Sequence, residues 1–386
     1  MSASLRVAVV TESFLPSLNG VTTSVCRILE HLQRRDHQAV VICPGPAPDT
    51  YAGFPVVAVP AVNYRQFPVG LPTSTVQRTL ERFAPDVVHA ASPFVLGAAG
   101  LAAARRLGLP TVAIYQTDVA GYARRHHATL AARTAWRWLR RIHAAADLTL
   151  APSTSALADL HAHGVTRTAL WGRGVDAELF HPRRRTSPTV QALRARLAPH
   201  GQVLVGYVGR LAPEKQVERI AVLADLPDVV TIVVGDGPSR APVARALRTA
   251  ILLGKLEGDA LADAYAALDL FVHTGTEETF GQTLQEAMAT GLPVVAPAAG
   301  GPLDLVQPGV QGLLYPPHDD QALRAAVHRL TTDARWRHDL GRAGRAFVLP
   351  RSWTTLGESL VAHYRTVIAT TRSATMPAPV PASEAA

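Results

Sequence analysis

The sequence predicts an α/β protein built from two doubly wound domains that face a cleft. Short apolar, β-branched runs alternate with helix-length segments along the chain, which is typical of parallel sheets covered by helices on both faces. Most of these runs are continuously apolar rather than alternating, as strands buried on both faces are. With 386 residues, the chain has room for two domains of about 100–200 residues each.

Six strands are predicted in the first half of the chain and five in the second. The predicted strands span residues 5–10, 39–43, 56–59, 86–89, 111–114, 148–151, 203–208, 229–234, 250–253, 269–272 and 293–296. The clearest helical segments span residues 21–34, 128–146, 280–290 and 353–368.

A polar, proline-flanked segment around Pro182 predicts the linker between the two domains, because a new apolar strand follows at Val203. We therefore expect a first domain over residues 1–186 and a second over 187–350. A C-terminal helix over 351–370 is expected to pack back on the first domain. The Ala/Pro/Ser-rich residues 371–386 have the composition of a disordered tail.

Composition excludes several classes of protein. No apolar run reaches the ~18 residues of a membrane helix, and Arg6 and Glu12 interrupt the first hydrophobic stretch, unlike a secretory signal. Two cysteines, Cys26 and Cys43, cannot build a disulfide framework or a thiolate zinc site. We expect a cytoplasmic protein.

The positive charge is concentrated in the first half. Residues 1–186 carry a net charge of +9 and the rest −1, which suggests an anionic partner for the first half. Within it, residues 122–143 combine six arginines with Trp136, Trp138 and Leu139, as in a helix at an anionic membrane surface. The alternative is a helix packed on the sheet with its arginines in water.

Glycine-containing turns after two strands of the second half suggest a phosphate site. Gly-Arg-Leu-Ala-Pro-Glu-Lys at 209–215 brings Arg210 and Lys215 close in sequence, and Gly-Asp-Gly-Pro at 235–238 is a tight turn that exposes backbone to a ligand. Ligands of open α/β sheets bind beyond the carboxyl ends of the strands, where such turns and helix N-termini lie.

The strongest local pattern is Glu-Thr-Phe-Gly-Gln-Thr-Leu-Gln-Glu-Ala at 278–287. If a helix begins near Phe280, its N–H groups face a diphosphate. Glu278 is then placed for sugar hydroxyls and Glu286 for a more distant polyol such as a ribose, because a carboxylate accepts two hydrogen bonds at once. The alternative is that both glutamates are ordinary exposed helix residues.

Together, Gly-Arg-Leu-x-x-Glu-Lys, Gly-x-Gly-Pro and Glu-x-Phe-Gly-(x)4-Glu-Ala resemble the retaining family 4 glycosyltransferases of the GT-B fold, over about residues 5–368. The resemblance implies that Arg210 and Lys215 neutralise the donor diphosphate, that Glu278 holds the transferred sugar and that Glu286 holds the ribose. The other donor contacts that it implies are Gly20, Gly237, Leu256, Phe280, Gly281 and Thr283.

Two further segments narrow the subfamily. Tyr-Gln-Thr-Asp-Val-Ala-Gly at 115–121 and Trp-Gly-Arg-Gly-Val-Asp at 171–176 resemble actinobacterial GDP-mannose-dependent α-mannosyltransferases that act on glycolipids. Gln116 stands where much of the family has a histidine, so Asp118 is the nearest ionisable candidate for the acceptor hydroxyl, with a structural loop cap as the alternative. The expected acceptor contacts are Asn19, Gln116, Asp118 and Tyr122.

The resemblance implies transfer of mannose from GDP-mannose to a membrane glycolipid, with retention and without a metal or other cofactor. The glycolipid would be of the glucuronosyl diacylglycerol or phosphatidylinositol mannoside type, reached by peripheral association with the inner face of the plasma membrane. No Asp-x-Asp motif is present, and Asp319-Asp320 is typical of a helix start.

Four alternatives concern function. A UDP-sugar-dependent family 4 enzyme transferring glucose, N-acetylglucosamine or sulfoquinovose remains open, as does a non-catalytic sugar-nucleotide binder. A nicotinamide-dependent dehydrogenase is disfavoured because residues 11–20 lack Gly-x-Gly-x-x-Gly. A nucleic-acid partner is not expected, because no compact reader motif is present.

Overall fold

The computed structural model describes residues 3–17, 19–64, 67–91, 93–116 and 129–375. The chain divides into two compact units. The first comprises Met1–Ala151, Leu157–Trp171 and Gly357–Ala386, and the second comprises Pro152–Ala156 and Gly172–Leu356.

The division between the units lies at Trp171 and Gly172, not at residue 186 as predicted from the sequence. The arginine-rich segment after Pro182 belongs to the second unit, because its side chains are anchored there. The Arg184 guanidinium donates to the Asp263 carboxylate at 2.9 Å, and Arg185 forms an ion pair with Asp269. This segment has the composition of a linker, but its arginines form ion pairs that hold it on the second unit.

The first unit contains a sheet of eight strands in the order β10-β9-β8-β7-β1-β2-β4-β3 and a separate antiparallel hairpin, β5-β6. All pairings in the large sheet are parallel except β3 with β4. The strands are β1 Arg6–Val10, β2 Gln38–Pro44, β3 Thr50–Tyr51, β4 Phe54–Val59, β5 Ala61–Tyr64, β6 Phe67–Gly70, β7 Val87–Ala90, β8 Thr111–Ile114, β9 Leu148–Ala151 and β10 Thr168–Leu170. The helices up to this point are α1 Gly20–Arg34, α2 Ser74–Phe83, α3 Leu96–Arg106, α4 Thr129–Ala145 and α5 Thr154–Ala162.

The second unit contains a six-stranded parallel sheet in the order β13-β12-β11-β14-β15-β16. Its strands are β11 Val203–Val208, β12 Val229–Val234, β13 Ile251–Gly254, β14 Leu270–Val272, β15 Val294–Pro297 and β16 Gly312–Tyr315. Its helices are α6 Pro188–Leu197, α7 Arg240–Ala246, α8 Gly258–Ala267, α9 Gln282–Ala289, α10 Pro302–Leu305, α11 Asp320–Thr332 and α12 Ala334–Val348. Shorter 3-10 helices span Pro182–Thr186, Pro213–Lys215 and Val217–Leu223.

Both faces of the second sheet are buried, which explains why its strands are continuously apolar. Along β11, Leu204 and Val208 pack into one hydrophobic cluster, whereas Val205 and Tyr207 pack into another. Each of the eleven predicted strands is present, with bounds that differ by at most two residues.

The C-terminal helix α13, Trp353–Thr375, is longer than the sequence pattern predicted. Its part from Gly357 onward belongs to the first unit, where the Tyr364 hydroxyl lies 2.6 Å from His89 Nδ1 and Arg372 pairs with Asp86 at 3.3 Å. The prediction of a disordered tail from Thr371 is therefore wrong for residues 371–375, which continue the helix.

Asp319 caps α11 by accepting a hydrogen bond from the Ala322 N–H at 2.8 Å, as predicted for a helix start.

Candidate functional site

The second sheet has a topological switch point between β11 and β14. The chain runs outward from β11 through β12 to β13 and then returns to pair β14 with the other side of β11. Open α/β sheets bind ligands in the crevice beyond the carboxyl ends of the strands at such a point. The loops after β11 and β14, which carry Arg210, Lys215 and Glu278, meet here.

Lys215 and Glu278 form a short ion pair in this crevice. Lys215 Nζ lies 2.6 Å from Glu278 Oε2, and the two side chains are 22% and 17% exposed. The Thr274 hydroxyl donates to the Lys215 carbonyl at 2.7 Å, so the two loops are also joined through the backbone. The structure therefore brings together two residues that are 63 positions apart in sequence.

Glu278 is held as a carboxylate. Burial alone would raise its pKa, but the Lys215 ammonium, the neighbouring His273 and the Phe280 N–H hold the pKa at about 2. A carboxylate that is charged and preorganised at neutral pH accepts hydrogen bonds from hydroxyl groups in a fixed direction.

Arg210 lies on the same loop as Lys215 and is more exposed. Its side chain is 53% accessible and pairs with Glu214 at 3.2 Å, and its carbonyl accepts a hydrogen bond from the Tyr207 hydroxyl at 3.1 Å. The guanidinium is thus tethered loosely, whereas its backbone is held against the strand. An exposed guanidinium above a fixed backbone suits contact with an anionic group that arrives from solvent.

The glycine turns are explained by close packing of loop against loop. A Cβ on Gly235 would lie 1.9 Å from the Gly209 carbonyl oxygen, and one on Gly237 would lie 2.3 Å from that of Leu211. These positions therefore require glycine for the approach of neighbouring backbone. The predicted contact of Gly237 with a donor stays a prediction.

Helix α9 begins at Gln282, not near Phe280 as the sequence suggested. Gly281 is the N-cap with φ of 101°, a conformation that favours glycine. The Phe280 side chain is buried in the core, and the Phe280 N–H donates to Glu278. Phe280 and Gly281 therefore belong to the turn that presents Glu278, and Thr283 lies in the first turn of the helix.

Glu286 lies on α9 in a different environment. It accepts hydrogen bonds from the Tyr265 hydroxyl at 3.0 Å and from Gln282 Nε2 at 3.4 Å. Burial raises the pKa of Glu286 to about 7, and these hydrogen bonds only partly offset the effect. Leu256, the remaining predicted donor contact of this unit, is half-buried just after β13.

Arg173 belongs to a segment that resembles the subfamily, with no role predicted for its side chain, and the structure places it close to Glu278. Gln285 and Gln282 of α9 donate to the carbonyls of Arg173 and Gly174 at 2.8 and 3.2 Å, which fixes this segment on the helix. Burial lowers the pKa of Arg173, and the Glu278 charge opposes that shift. The signal in the sequence that could have drawn attention to this residue is its position between two glycines, Gly172 and Gly174.

In the first unit, the loop after β1 is fixed by two side chains. Asn19 caps α1 by accepting hydrogen bonds from the N–H groups of Val21 and Thr22 at 2.9 and 3.1 Å, and Gly20 is the first residue of the helix. The Glu12 carboxylate accepts from the Gly97 N–H at 2.8 Å. The Asn19 amide oxygen is therefore used in capping, and the predicted contact of Asn19 with the acceptor stays a prediction.

Gln116 is buried and follows Tyr115, the first residue after β8. Asp118 and Tyr122 lie outside the described residues.

Helix α4 packs through its apolar side and exposes its arginines. Trp136 and Leu139 are buried. Of the two interpretations of this segment, a helix packed on the sheet is therefore the correct one for these two residues. Trp138 is 41% exposed, and its indole N–H donates to the carbonyl of the equally exposed Phe94 at 3.3 Å. The exposed arginines of the described part of α4 are Arg133, Arg137, Arg140 and Arg141.

Within the part of the chain that the structure describes, no helix is long and apolar enough to cross a membrane.

Two family models match the chain. "Glycosyltransferase Family 4" matches residues 18–179, and "Glycosyl transferases group 1" matches residues 191–347.

Curated relatives match over nearly the whole length. A GDP-mannose-dependent alpha-mannosyltransferase from Mycolicibacterium smegmatis is 48% identical over 94% of this chain and 98% of its own. A relative with the same name from Mycobacterium tuberculosis is 47% identical over 94% of this chain and 97% of its own. A sulfoquinovosyl transferase from Arabidopsis thaliana is 33% identical over 92% of this chain and 72% of its own.

Solved structures share the fold. The Anabaena Alr3699/HepE protein in complex with UDP and glucose has a TM-score of 0.76 at 23% identity, covering 94% of this chain and 100% of that one. A sucrose-phosphate synthase from Thermosynechococcus elongatus has a TM-score of 0.76 at 22% identity, covering 95% and 100%. The expected GT-B class, with two doubly wound parallel halves, is confirmed.

Proposed function

Because the chain belongs to glycosyltransferase family 4, we propose that it transfers mannose from GDP-mannose to a membrane glycolipid. The observation that carries this proposal is the Lys215–Glu278 ion pair at the switch point of the second sheet. It places a cation suited to a diphosphate beside a carboxylate suited to sugar hydroxyls. The choice of mannose and GDP is supported by relatives 44–48% identical, which are GDP-mannose-dependent alpha-mannosyltransferases.

In this proposal the donor diphosphate binds at the loop after β11. Departure of GDP breaks the bond between the anomeric carbon and the diphosphate oxygen, and negative charge develops on that oxygen. Arg210 and Lys215 stabilise it, taking the part that a magnesium ion plays at other diphosphate sites. Glu278 holds the mannose hydroxyls, and Glu286 accepts from or donates to the ribose, since its pKa of about 7 allows both forms.

The acceptor step follows a front-face route with retention. The acceptor hydroxyl attacks the anomeric carbon on the side that the diphosphate leaves, and its proton passes to the departing phosphate oxygen. No enzyme nucleophile and no metal ion are needed in this scheme.

A transfer assay with radiolabelled GDP-mannose, anionic vesicles containing a glucuronosyl diacylglycerol and excess EDTA tests the proposal. We expect a mannosylated lipid at a rate that EDTA does not change. Transfer only from UDP-glucose or another UDP-sugar would replace the donor, and hydrolysis or binding without transfer would indicate a non-catalytic binder. Transfer of a different sugar, such as sulfoquinovose, is the second candidate because a sulfoquinovosyl transferase is 33% identical to this chain.

The lipid acceptor implies contact with a membrane surface, and the exposed face of α4 is our candidate for it. Four exposed arginines beside Trp138 and Phe94 combine cationic groups with half-exposed aromatic rings. The expected location is the inner face of the plasma membrane.

Vesicle co-sedimentation tests this surface. The double variant Arg137→Glu/Arg141→Glu should bind anionic vesicles at least about 10-fold more weakly, since each basic residue contributes about 1 kcal/mol near such a surface. Arg196→Glu, an exposed arginine of α6, is the matched control. Equal binding of wild type to anionic and zwitterionic vesicles would contradict the proposal.

A further inference from the structure

His273 is a buried residue of the candidate site that neither the motifs nor the proposed mechanism uses. It follows β14 directly, and only 2% of its side chain is exposed. Its ring lies nearly parallel to that of Tyr207, with centroids 6.4 Å apart and planes 14° from parallel. Its backbone is also fixed, because its N–H donates to Val295 at 2.8 Å and its carbonyl accepts from the Tyr315 hydroxyl at 3.1 Å. The imidazole therefore sits on a rigid element.

The ring nitrogens lack a well-formed hydrogen bond. Among the described residues, neither nitrogen has a partner of normal geometry, and the Gly275 backbone makes only a minor hydrogen-bond contact with the ring. Buried polar atoms in folded proteins almost always have partners, so an unsatisfied pair in a candidate site indicates a contact that forms in another state of the site. The nearest charged acceptor is Glu278, whose Oε2 lies 3.7 Å from His273 Nε2.

The same Glu278 oxygen is held by Lys215 at 2.6 Å. Under the proposed function Lys215 has a second partner, the donor diphosphate, which carries more negative charge than one carboxylate. When Lys215 turns toward the diphosphate, Glu278 Oε2 loses its closest hydrogen-bond donor while it must hold a sugar. A movement of under about 1 Å would bring His273 Nε2 within hydrogen-bond distance of that oxygen.

We propose that His273 is a positioning residue whose Nε2–H replaces Lys215 as the hydrogen-bond donor to Glu278 when the donor diphosphate binds. This inference rests on the proposed function. It assigns the Nε2–H tautomer and leaves Nδ1 as the unprotonated nitrogen. Burial lowers the pKa of His273 to about 4, with Glu278 and Lys215 acting in opposite directions, so the ring is neutral at pH 7 and adds no charge that would repel Lys215.

Three substitutions at His273 distinguish a hydrogen-bonding role of its ring from a role in packing. His273→Phe keeps a ring against Tyr207 and removes both nitrogens. His273→Gln places an amide N–H near the position of Nε2, whereas His273→Asn places it near Nδ1. We expect Phe and Asn to lower kcat for mannosyl transfer by about 10-fold to 100-fold, as for one hydrogen bond to a charged group, and Gln to restore it to within about 5-fold of wild type.

The binding readout distinguishes this inference from the proposed function. GDP carries the diphosphate that draws Lys215 away from Glu278, so it should bind His273→Gln within about 3-fold of wild type. It should bind His273→Phe and His273→Asn at least about 3-fold more weakly, because Glu278 then loses its hydrogen-bond donor. Wild type that neither binds GDP nor transfers mannose would overturn the proposed function. Wild-type activity with a fully active His273→Phe variant, or with equal losses in Gln and Asn, would overturn the role of His273 alone.

If the His273 variants fail to fold, a measurement on the wild-type protein still tests the proposal. In protein labelled with nitrogen-15 at histidine, binding of a non-transferable fluorinated GDP-mannose should move the His273 Nε2–H proton downfield and leave Nδ1 unprotonated. An unchanged Nε2–H signal in the saturated complex, or a proton on Nδ1, would contradict the proposal.

Discussion

Glu278 and Glu286 lie eight residues apart and are buried to a similar degree, but their pKa values are shifted in opposite directions. Glu278 pairs with an ammonium group at 2.6 Å, and its pKa is held at about 2 despite burial. Among the described residues, the partners of Glu286 are the Tyr265 hydroxyl and the Gln282 amide, and burial raises the pKa of Glu286 to about 7. A neighbouring cation, not burial, decides which carboxylate stays charged. The charged one is the better candidate to hold a sugar in one orientation.

Removing the cation should have the largest effect. Lys215→Ala is expected to lower kcat for mannosyl transfer by at least ~100-fold, because it removes a preorganised charge facing the leaving diphosphate and leaves Glu278 buried without its partner. Arg210→Ala should lower turnover to a similar degree. Steady-state kinetics with GDP-mannose measure both effects.

The chain supplies a matched control. Lys255 is the other lysine, and its ion pair with Glu257 is largely exposed, with side chains 65% and 56% accessible. Lys255→Ala should retain wild-type turnover. Near-normal turnover of Lys215→Ala would refute the assignment of the cation.

Neutral replacements of the two glutamates should differ in effect. Glu278→Gln is expected to lower kcat by about 10-fold to 100-fold, because an amide loses the charge that strengthens hydrogen bonds to the sugar. Glu286→Gln should cost less than about 5-fold at pH 7, where the native carboxyl is already partly protonated. Equal losses in the two variants would remove the distinction between the sites.

The opposite pKa shifts also predict opposite effects of pH on stability. For Glu286, whose folded pKa is raised, the stabilising contribution is complete below the ordinary value of 4.5 and is lost as the pH rises through about 7. For Glu278, whose folded pKa is lowered, the contribution is present above 4.5 and is lost as the pH falls toward about 2.

Urea unfolding of wild type and Glu286→Gln at about pH 5 and pH 8 isolates the first effect. Relative to the variant, wild type should lose on the order of 1–3 kcal/mol of unfolding free energy between the two pH values. A difference that stays constant, or grows with pH, would show that Glu286 is not held in its neutral form.

Much of the fold was predictable because buried parallel strands have a distinctive composition. Strands such as β11 and β12 are apolar on both faces, so their runs are continuous in the sequence. The strands that the pattern does not predict, including the two-residue β3, are only two to four residues long. Thr168–Leu170 and Gly312–Tyr315 are short edge strands, and Ala61–Tyr64 with Phe67–Gly70 form a separate two-stranded hairpin.

The site was predictable where one loop carries the chemistry and not where two loops meet. The segment 278–287 predicted Glu278 and Glu286, but the helix start was placed too early because Phe280 continues the apolar pattern while its side chain fills the core. His273 lies on the same loop as Glu278 but belongs to no recognisable motif, and Arg173 comes close to Glu278 only through the fold. Such proximity depends on strand order, which local patterns do not determine.

If Lys215 and Glu278 form the binding site of a GDP-sugar, the affinity for GDP depends on Lys215, and calorimetry measures that dependence. Wild type and Lys215→Ala would be titrated with GDP and UDP in buffer containing EDTA. Wild type should bind GDP more tightly than UDP, and Lys215→Ala should bind GDP at least about 10-fold more weakly than wild type, as for the loss of one charge-assisted contact. A preference of wild type for UDP, or a GDP affinity that the substitution leaves unchanged, would show that these two residues do not form a GDP-sugar site.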